Sequence, residues 1–300
     1  MNAASGDHRL DGLSYALVSH AIWGLMPLYL VLVHDVPPVE FVAWRIIWTL
    51  PLCLAMLAWR KQGAEVLAAL KDRHSLLALA ASAALVGVNW VFYVIAVQTD
   101  HVYAASLGYY ILPLVMMVLG LAVLKERLTR AQWGAVALAA LGVGLLAIGA
   151  RSTLWLSLIV AVTFGLYGLI RKTVRVGALA GLTVETLLLI VPSIGIAAWY
   201  GMQPGGSSMA QGLGLAAAIA LGGPMTAVPL TTFAVAARRM DYSVMGFLQF
   251  LSPTVVFMLG LFYFREPLNP AQLGCFVLIW SAMGLFVWDL LRRRRRQTRG

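Results

Sequence analysis

The chain has 300 residues, of which 61% are hydrophobic and 11% charged. A soluble globular domain carries about 25% charged residues, so this composition excludes an ordinary water-soluble domain and points to lipid. The formal net charge of +10 raises nucleic acid as a partner, a reading that stands or falls on where the charges lie.

Ten apolar runs follow one another at about 12–33, 39–59, 75–96, 102–124, 131–149, 153–170, 179–200, 212–236, 242–264 and 270–290. Each is close to the roughly 20 residues that cross a bilayer core as a helix. Lipid offers no hydrogen bonds to a bare backbone, so the runs are predicted to be helices. The expected fold class is an all-α integral membrane protein with ten transmembrane helices. The first run is too long for a signal-peptide core and is read as a retained span. Between runs two and three, "AEVLAALKD" has helical apolar spacing and is expected to lie along the inner surface. Cys53 and Cys275 both fall inside runs, so no disulfide framework is implied.

With a cytoplasmic N-terminus, 19 of the 22 Lys and Arg residues fall in inner segments, six of them in the tail "RRRRRQTRG". Only Arg151 and Arg265 fall outside, and Arg45 lies within a run. This is the positive-inside pattern. It accounts for the basic charge without nucleic acid and places both termini in the cytoplasm.

A shift of 140 residues lays "LPLVMMVLGLAVLKERLTRAQWG" (from Leu112) on "SPTVVFMLGLFYFREPLNPAQLG" (from Ser252). From 112 to 145, 13 of 34 positions are identical, including Pro113/Pro253, Gly120/Gly260, Glu126/Glu266 and Gln132/Gln272. The expectation is an internal duplication. An N-terminal tail (1–11) precedes a first five-helix repeat (12–149), and a second repeat (153–290) precedes a basic tail (291–300). Five helices is an odd number, so the second copy enters the membrane inverted. Inverted repeats are characteristic of transporters that alternate access to a midplane site.

Charge within a span is costly, roughly 2.5–3.5 kcal/mol at a helix centre. Arg45 and Glu185 stand out, and they too are 140 residues apart. Each lies about six residues from one surface, roughly 9 Å deep, on opposite sides of the midplane, so they are not expected to pair with each other. Arg45 reads either as an anchor for a carboxylate or as a structural arginine met by carbonyls, Asp35 or Asp100. Glu185 reads either as a proton-coupling group or as the partner of Arg171 or Lys172. The polar-aromatic stretches "GVNWVFY", "SLGYYILP", "FGLYGLIRK" and "GFLQFLSPT" supply Asn89, Tyr93, Tyr109, Tyr167 and Gln249 as candidate substrate contacts, and Trp48, near Arg45, joins them. Pro113 and Pro253, mid-run at equivalent places, are candidate hinges. His20, alone on an apolar stretch, reads as a core histidine. Runs five and ten, nearly free of polar side chains and rich in small residues, read as scaffold.

No phosphate-binding G-x-x-x-x-G-K-[ST] loop is present, the five histidines show no metal-ligand spacing, and no catalytic triad emerges. The expectation is a non-enzyme without cofactor or metal. A channel, a lipid scramblase and a membrane enzyme are the rival classes.

"AIWGLMPLY", "VPPVEFVAWRIIW", "GVNWVFYVIAV", "AASLGYYILPL", "FGLYGLIRK", "VET" and "GFLQFLSPT" together resemble the RarD proteins of the EamA group, in the drug/metabolite transporter superfamily. The resemblance runs through essentially the whole chain. It implies ten helices in two inverted halves, a bacterial inner-membrane location and secondary transport without ATP. Its relatives include exporters of amino acids and other small metabolites, and a link to chloramphenicol sensitivity. It further implies a central cavity lined by spans 1–4 and 6–9, with spans 5 and 10 peripheral. A small-molecule substrate, a lipid bilayer and a chain able to work as a monomer are the expected partners and state, with proton coupling as an option.

Overall fold

The computed structural model describes residues 12–98, 102–149, 151–265 and 270–297, and among these every regular element is helical. The first eleven residues, Asp100, the Glu266-Pro267 pair of the repeated motif and the last three residues of the basic tail lie outside the described residues. The helices are α1 (Leu13–Val31), α2 (Pro38–Arg60), α3 (Gly63–Lys71), α4 (Arg73–Gln98), α5 (Val102–Ala122), α6 (Arg130–Gly149) and α7 (Leu154–Thr173). They continue with α8 (Ala178–Gly201), α9 (Leu213–Ala220), α10 (Gly222–Arg239), α11 (Tyr242–Gln249), α12 (Leu251–Phe262) and α13 (Pro270–Gln297). Among the described residues, nine segments are long and apolar enough to cross a membrane, and Ser106–Ala122 within α5 is a shorter apolar helix.

Two runs that read as single spans are each broken in two. The turn at Phe250 separates α11 from α12, and Pro253 makes a break feasible there. Its ring nitrogen cannot donate to the Gln249 carbonyl four residues back, and its ring crowds that carbonyl. The Phe250 amide bonds instead to Phe247 O at 3.2 Å, a tighter spacing. Likewise α9 and α10 meet at Leu221, immediately before Gly222, Gly223 and Pro224, and Pro224 cannot donate to the Ala220 carbonyl four residues back. Pro113 sits in the continuous helix α5, as Pro27, Pro51, Pro192 and Pro229 do in theirs. At the other end, α13 runs on to Gln297, so the first arginines of the basic tail continue the last helix.

In the bundle, α2 lies between α8 and α10, and α1 packs on α10 and α12. On the other side α7 packs on α4 and α5, α5 on α11, and α6 lies along α13. The last pair approach closely where Gly142 faces the Cys275 carbonyl, and Phe257 and Phe247 stack on Phe276 and Phe286 of α13 at 4.0 and 3.9 Å. The amphipathic α3 packs on α4 and α8, and Glu65 on it accepts the Gly177 amide at 2.6 Å, capping α8.

Small residues set the α2–α10 seam. A Cβ on Gly223 would meet the Trp48 carbonyl oxygen at 2.5 Å, a contact with backbone that cannot swing away. Gly223→Ala should therefore destabilise the protein by about 1–3 kcal/mol. Gly214→Ala, whose Cβ meets nothing within 4 Å, should not. Detergent melting of the two variants compares them directly.

Candidate functional site

Arg45 projects from α2 toward α10. Its Nε donates to Thr226 Oγ1 at 2.9 Å, and that hydroxyl donates in turn to Gly222 O at 2.7 Å, so the acceptor is held in place. Gly222 makes the approach feasible, since a Cβ there would lie 2.9 Å from the Arg45 Cβ and 3.0 Å from the Tyr29 hydroxyl. The guanidinium carbon sits 4.7 Å from the Trp90 ring centroid and 5.9 Å from that of Phe41, distances at which ring and cation attract. Tyr29, Tyr93 and Tyr109 surround the same charge. Tyr93 and Tyr109 meet edge to face at 5.9 Å, and the Tyr29 hydroxyl donates to Ala218 O at 3.0 Å.

This cation has no counterion among the described residues. Asp35 pairs with His34 at 3.1 Å on an exposed turn rather than with Arg45. The two terminal guanidinium nitrogens make no hydrogen bond to the described residues, and the residue is half-buried. Five aromatic rings thus frame a cation whose planar pair of donors is uncommitted, a geometry that matches a carboxylate.

Glu185 lies in a second polar group. Its carboxylate is 3.5 Å from Arg171 Nη1 and accepts from Ser82 Oγ at 2.5 Å. Arg171 Nη2 donates to Ala178 O at 2.7 Å, and Gly181 leaves the space that the guanidinium fills. Lys172 turns away and donates to Ala237 O and Met240 O at 2.9 and 2.6 Å. The Tyr167 hydroxyl faces Glu185 without reaching hydrogen-bond geometry, while its ring stacks on Phe233 at 6.3 Å. Arg171, Glu185 and Tyr167 are all buried, and Arg171 Nε, Glu185 Oε2 and the Tyr167 hydroxyl have no hydrogen-bond partner among the described residues.

Of the sequence candidates, then, the structure gathers Arg45, Tyr93 and Tyr109 in one group and Tyr167 with Glu185 in the other. Asn89 donates to Val160 O at 2.7 Å and Thr163 Oγ1 at 3.2 Å, so its amide nitrogen ties α4 to α7, while its Oδ1 is buried with no partner among the described residues. Gln249 is buried at the α11–α12 break with Oε1 unpartnered. Trp48 is 36% exposed and makes no ring or hydrogen-bond contact with the Arg45 group. Trp90, Phe41, Tyr29 and Thr226 were not singled out from sequence. Trp90 lies beside Asn89 in "GVNWVFY", and Tyr29 and Phe41 fall within "AIWGLMPLY" and "VPPVEFVAWRIIW", whereas Thr226 carries no sequence signal. His20 is wholly buried between Trp23 at 5.8 Å and Phe233 at 6.5 Å, and neither ring nitrogen has a partner among the described residues.

The EamA-like transporter family pattern matches residues 10–148. Protein RarD of Streptomyces exfoliatus is 41% identical over 286 residues, covering 95% of this chain and 90% of the relative. The chain belongs to the RarD group of the EamA-like transporter family. A Bacillus subtilis relative, the uncharacterized transporter YojE, is 37% identical over 288 residues, 95% of this chain and 96% of its own. A crystal structure sharing 17% identity superposes with TM-score 0.73, covering 95% of this chain and 99% of that one, a likeness of fold alone. As a RarD-group protein with apolar helices of spanning length, the chain is a multi-pass bacterial membrane protein and a transporter, and its relatives are named as transporters, not enzymes.

Proposed function

We propose that this transporter is a secondary active exporter of a small carboxylate-bearing metabolite or drug, aromatic or amino-acid-like, working by alternating access in the bacterial inner membrane. The observation that carries the reading is Arg45, fixed through Nε by Thr226, framed by Trp90 and Phe41, and without a counterion among the described residues. An uncompensated cation within a span is costly, and an anionic substrate would relieve that cost. The aromatic frame would select the remainder of the molecule by stacking.

The mechanism rests on ten spans in two inverted halves, 12–149 and 153–290. Two observations support that division. Lys125 and Arg265, equivalent under the 140-residue shift, share a left-handed backbone with φ of 56° and 55°. The pairings also match under a five-span shift: α1 packs on α10 and α11–α12 as α7 packs on α4 and α5. Glu185, with Arg171, Ser82 and Tyr167 around it, is the candidate for proton coupling. The helix break at Phe250 supplies one hinge, and it favours a gated site over the channel reading.

Proteoliposomes offered radiolabelled aromatic and aliphatic carboxylates, with and without a pH gradient, test the function. Uptake should favour acids over their neutral amides, and amides carried as fast as the acids would overturn the reading. Topology is a separate expectation. Nineteen cations on one side put both termini in the cytoplasm, so a reporter active only outside the membrane, fused after Gly300, should stay silent.

A further inference from the structure

The seam between α5 and α11 is joined by a carboxylate that neither proposed site uses. Glu126, in the connector after α5, accepts the Tyr242 amide at 2.6 Å, the Ser243 amide at 2.8 Å and the Ser243 hydroxyl at 2.5 Å. These are the opening groups of α11, whose own N-cap residue, Asp241, supplies no side-chain cap. A carboxylate there also meets the positive end of the helix dipole.

Three local features exist to place it. Lys125 takes φ of 56°, which turns the chain back after α5. The Glu126 amide then bonds to Gly120 O at 3.0 Å. Gly120 must lack a side chain, because a Cβ would meet Glu126 Oε2 and Ser243 Oγ, each at 2.6 Å. Further along the seam, Gly246 lies against the Pro113 carbonyl, with a built Cβ only 2.9 Å from that oxygen. Lys172 fastens the same end of the bundle by donating to Ala237 O in the last turn of α10 and to Met240 O just beyond it.

We propose that Glu126 is a positioning residue for transport, a latch that holds the cytoplasmic end of α11 shut against α5 and releases it when the site opens inward. An ordinary cap comes from the residue beside the helix, whereas this one reaches 116 residues along the chain to join the two halves. The segment it holds is able to move by itself, because α11 is eight residues long and the Phe250 turn uncouples it from α12. The parts of the latch are also the repeated ones: Gly120, Lys125 and Glu126 recur in sequence as Gly260, Arg265 and Glu266. The latch rests on the alternating-access reading above.

Two cysteine reporters in a Cys53→Ala, Cys275→Ala background separate the latch from that reading. One replaces Met116, wholly buried under α11 beside Gly246, and the other replaces Phe41, buried in the Arg45 group. A membrane-impermeant maleimide is applied to vesicles of each orientation, with and without Glu126→Gln, which keeps the size and removes the charge. Labelling at Met116 from the cytoplasmic side should rise about tenfold, as expected for loss of charge-assisted hydrogen bonds, while labelling at Phe41 from outside falls. A rise at Met116 with Phe41 unchanged keeps the latch and sinks alternating access. No change at Met116 overturns the latch, and so does a rise at both sites with lowered melting, which would make Glu126 a structural cap. If Glu126→Gln does not fold, Ser243→Ala removes the 2.5 Å bond alone and should raise Met116 labelling by a smaller factor, with no rise counting against the latch.

Discussion

Arg45→Lys should weaken apparent affinity for a carboxylate substrate by about 10- to 100-fold while leaving thermal melting in detergent unchanged. Lysine keeps the charge and the attraction to Trp90 and Phe41. It loses the fork that allows Nε to stay on Thr226 while two further nitrogens bind a carboxylate in parallel. A charge-assisted hydrogen bond contributes about 1.5–3 kcal/mol, which sets the size of the loss. Arg45→Ala should abolish transport of acids and lower stability by about 2 kcal/mol, the size of a desolvated cation–π contact. The stability arm decides between roles. A structural arginine in a buried ion pair would strand its anion on removal, at a cost of about 3–5 kcal/mol, but no described carboxylate pairs with Arg45, and Asp35 lies exposed beside His34. Normal affinity and normal melting in both variants would remove Arg45 from the site and leave the choice to the aromatic frame.

The apolar helices were legible because lipid imposes one rule, internal satisfaction of every backbone group, and that rule writes itself as apolar runs. Arg45 and Glu185 were legible for the converse reason, since charge in a run needs a cause. What sequence could not supply was each charge's neighbour. Thr226 lies 181 residues from Arg45 and is an ordinary threonine until α10 is brought against α2 by Gly222 and Gly223. Trp90 is one more aromatic in "GVNWVFY" until its ring is found under a guanidinium. The breaks at Leu221 and Phe250 were hidden for a different reason. Prolines also occur inside helices that stay continuous, as Pro113 does in α5, so proline marks where a break is feasible and packing decides whether it happens. His20 reads as an ordinary core histidine, and only the bundle reveals that neither ring nitrogen finds a partner among the described residues.

Glu185→Leu alone should destabilise the protein by about 3–5 kcal/mol, because it leaves the fully buried Arg171 without its anion. Arg171→Met alone should cost a similar amount by stranding Glu185. The double variant should recover most of that loss, since replacing both members of a buried pair by apolar groups removes two desolvation penalties together with one attraction. Recovery will not be complete. Ser82 Oγ loses its 2.5 Å acceptor, and the Ala178 carbonyl loses the 2.7 Å bond from Arg171. The refolded double variant then provides a background in which stability and coupling are separated. If Glu185 carries the proton, the double variant should bind substrate and exchange it across the membrane at equilibrium, yet gain nothing from an imposed pH gradient. If the pair is only structural, gradient-driven transport should return with the melting temperature. A double variant that is stable and still driven by the gradient would remove Glu185 from coupling, and the search for the proton carrier would move to His20, whose two ring nitrogens are buried and unpartnered.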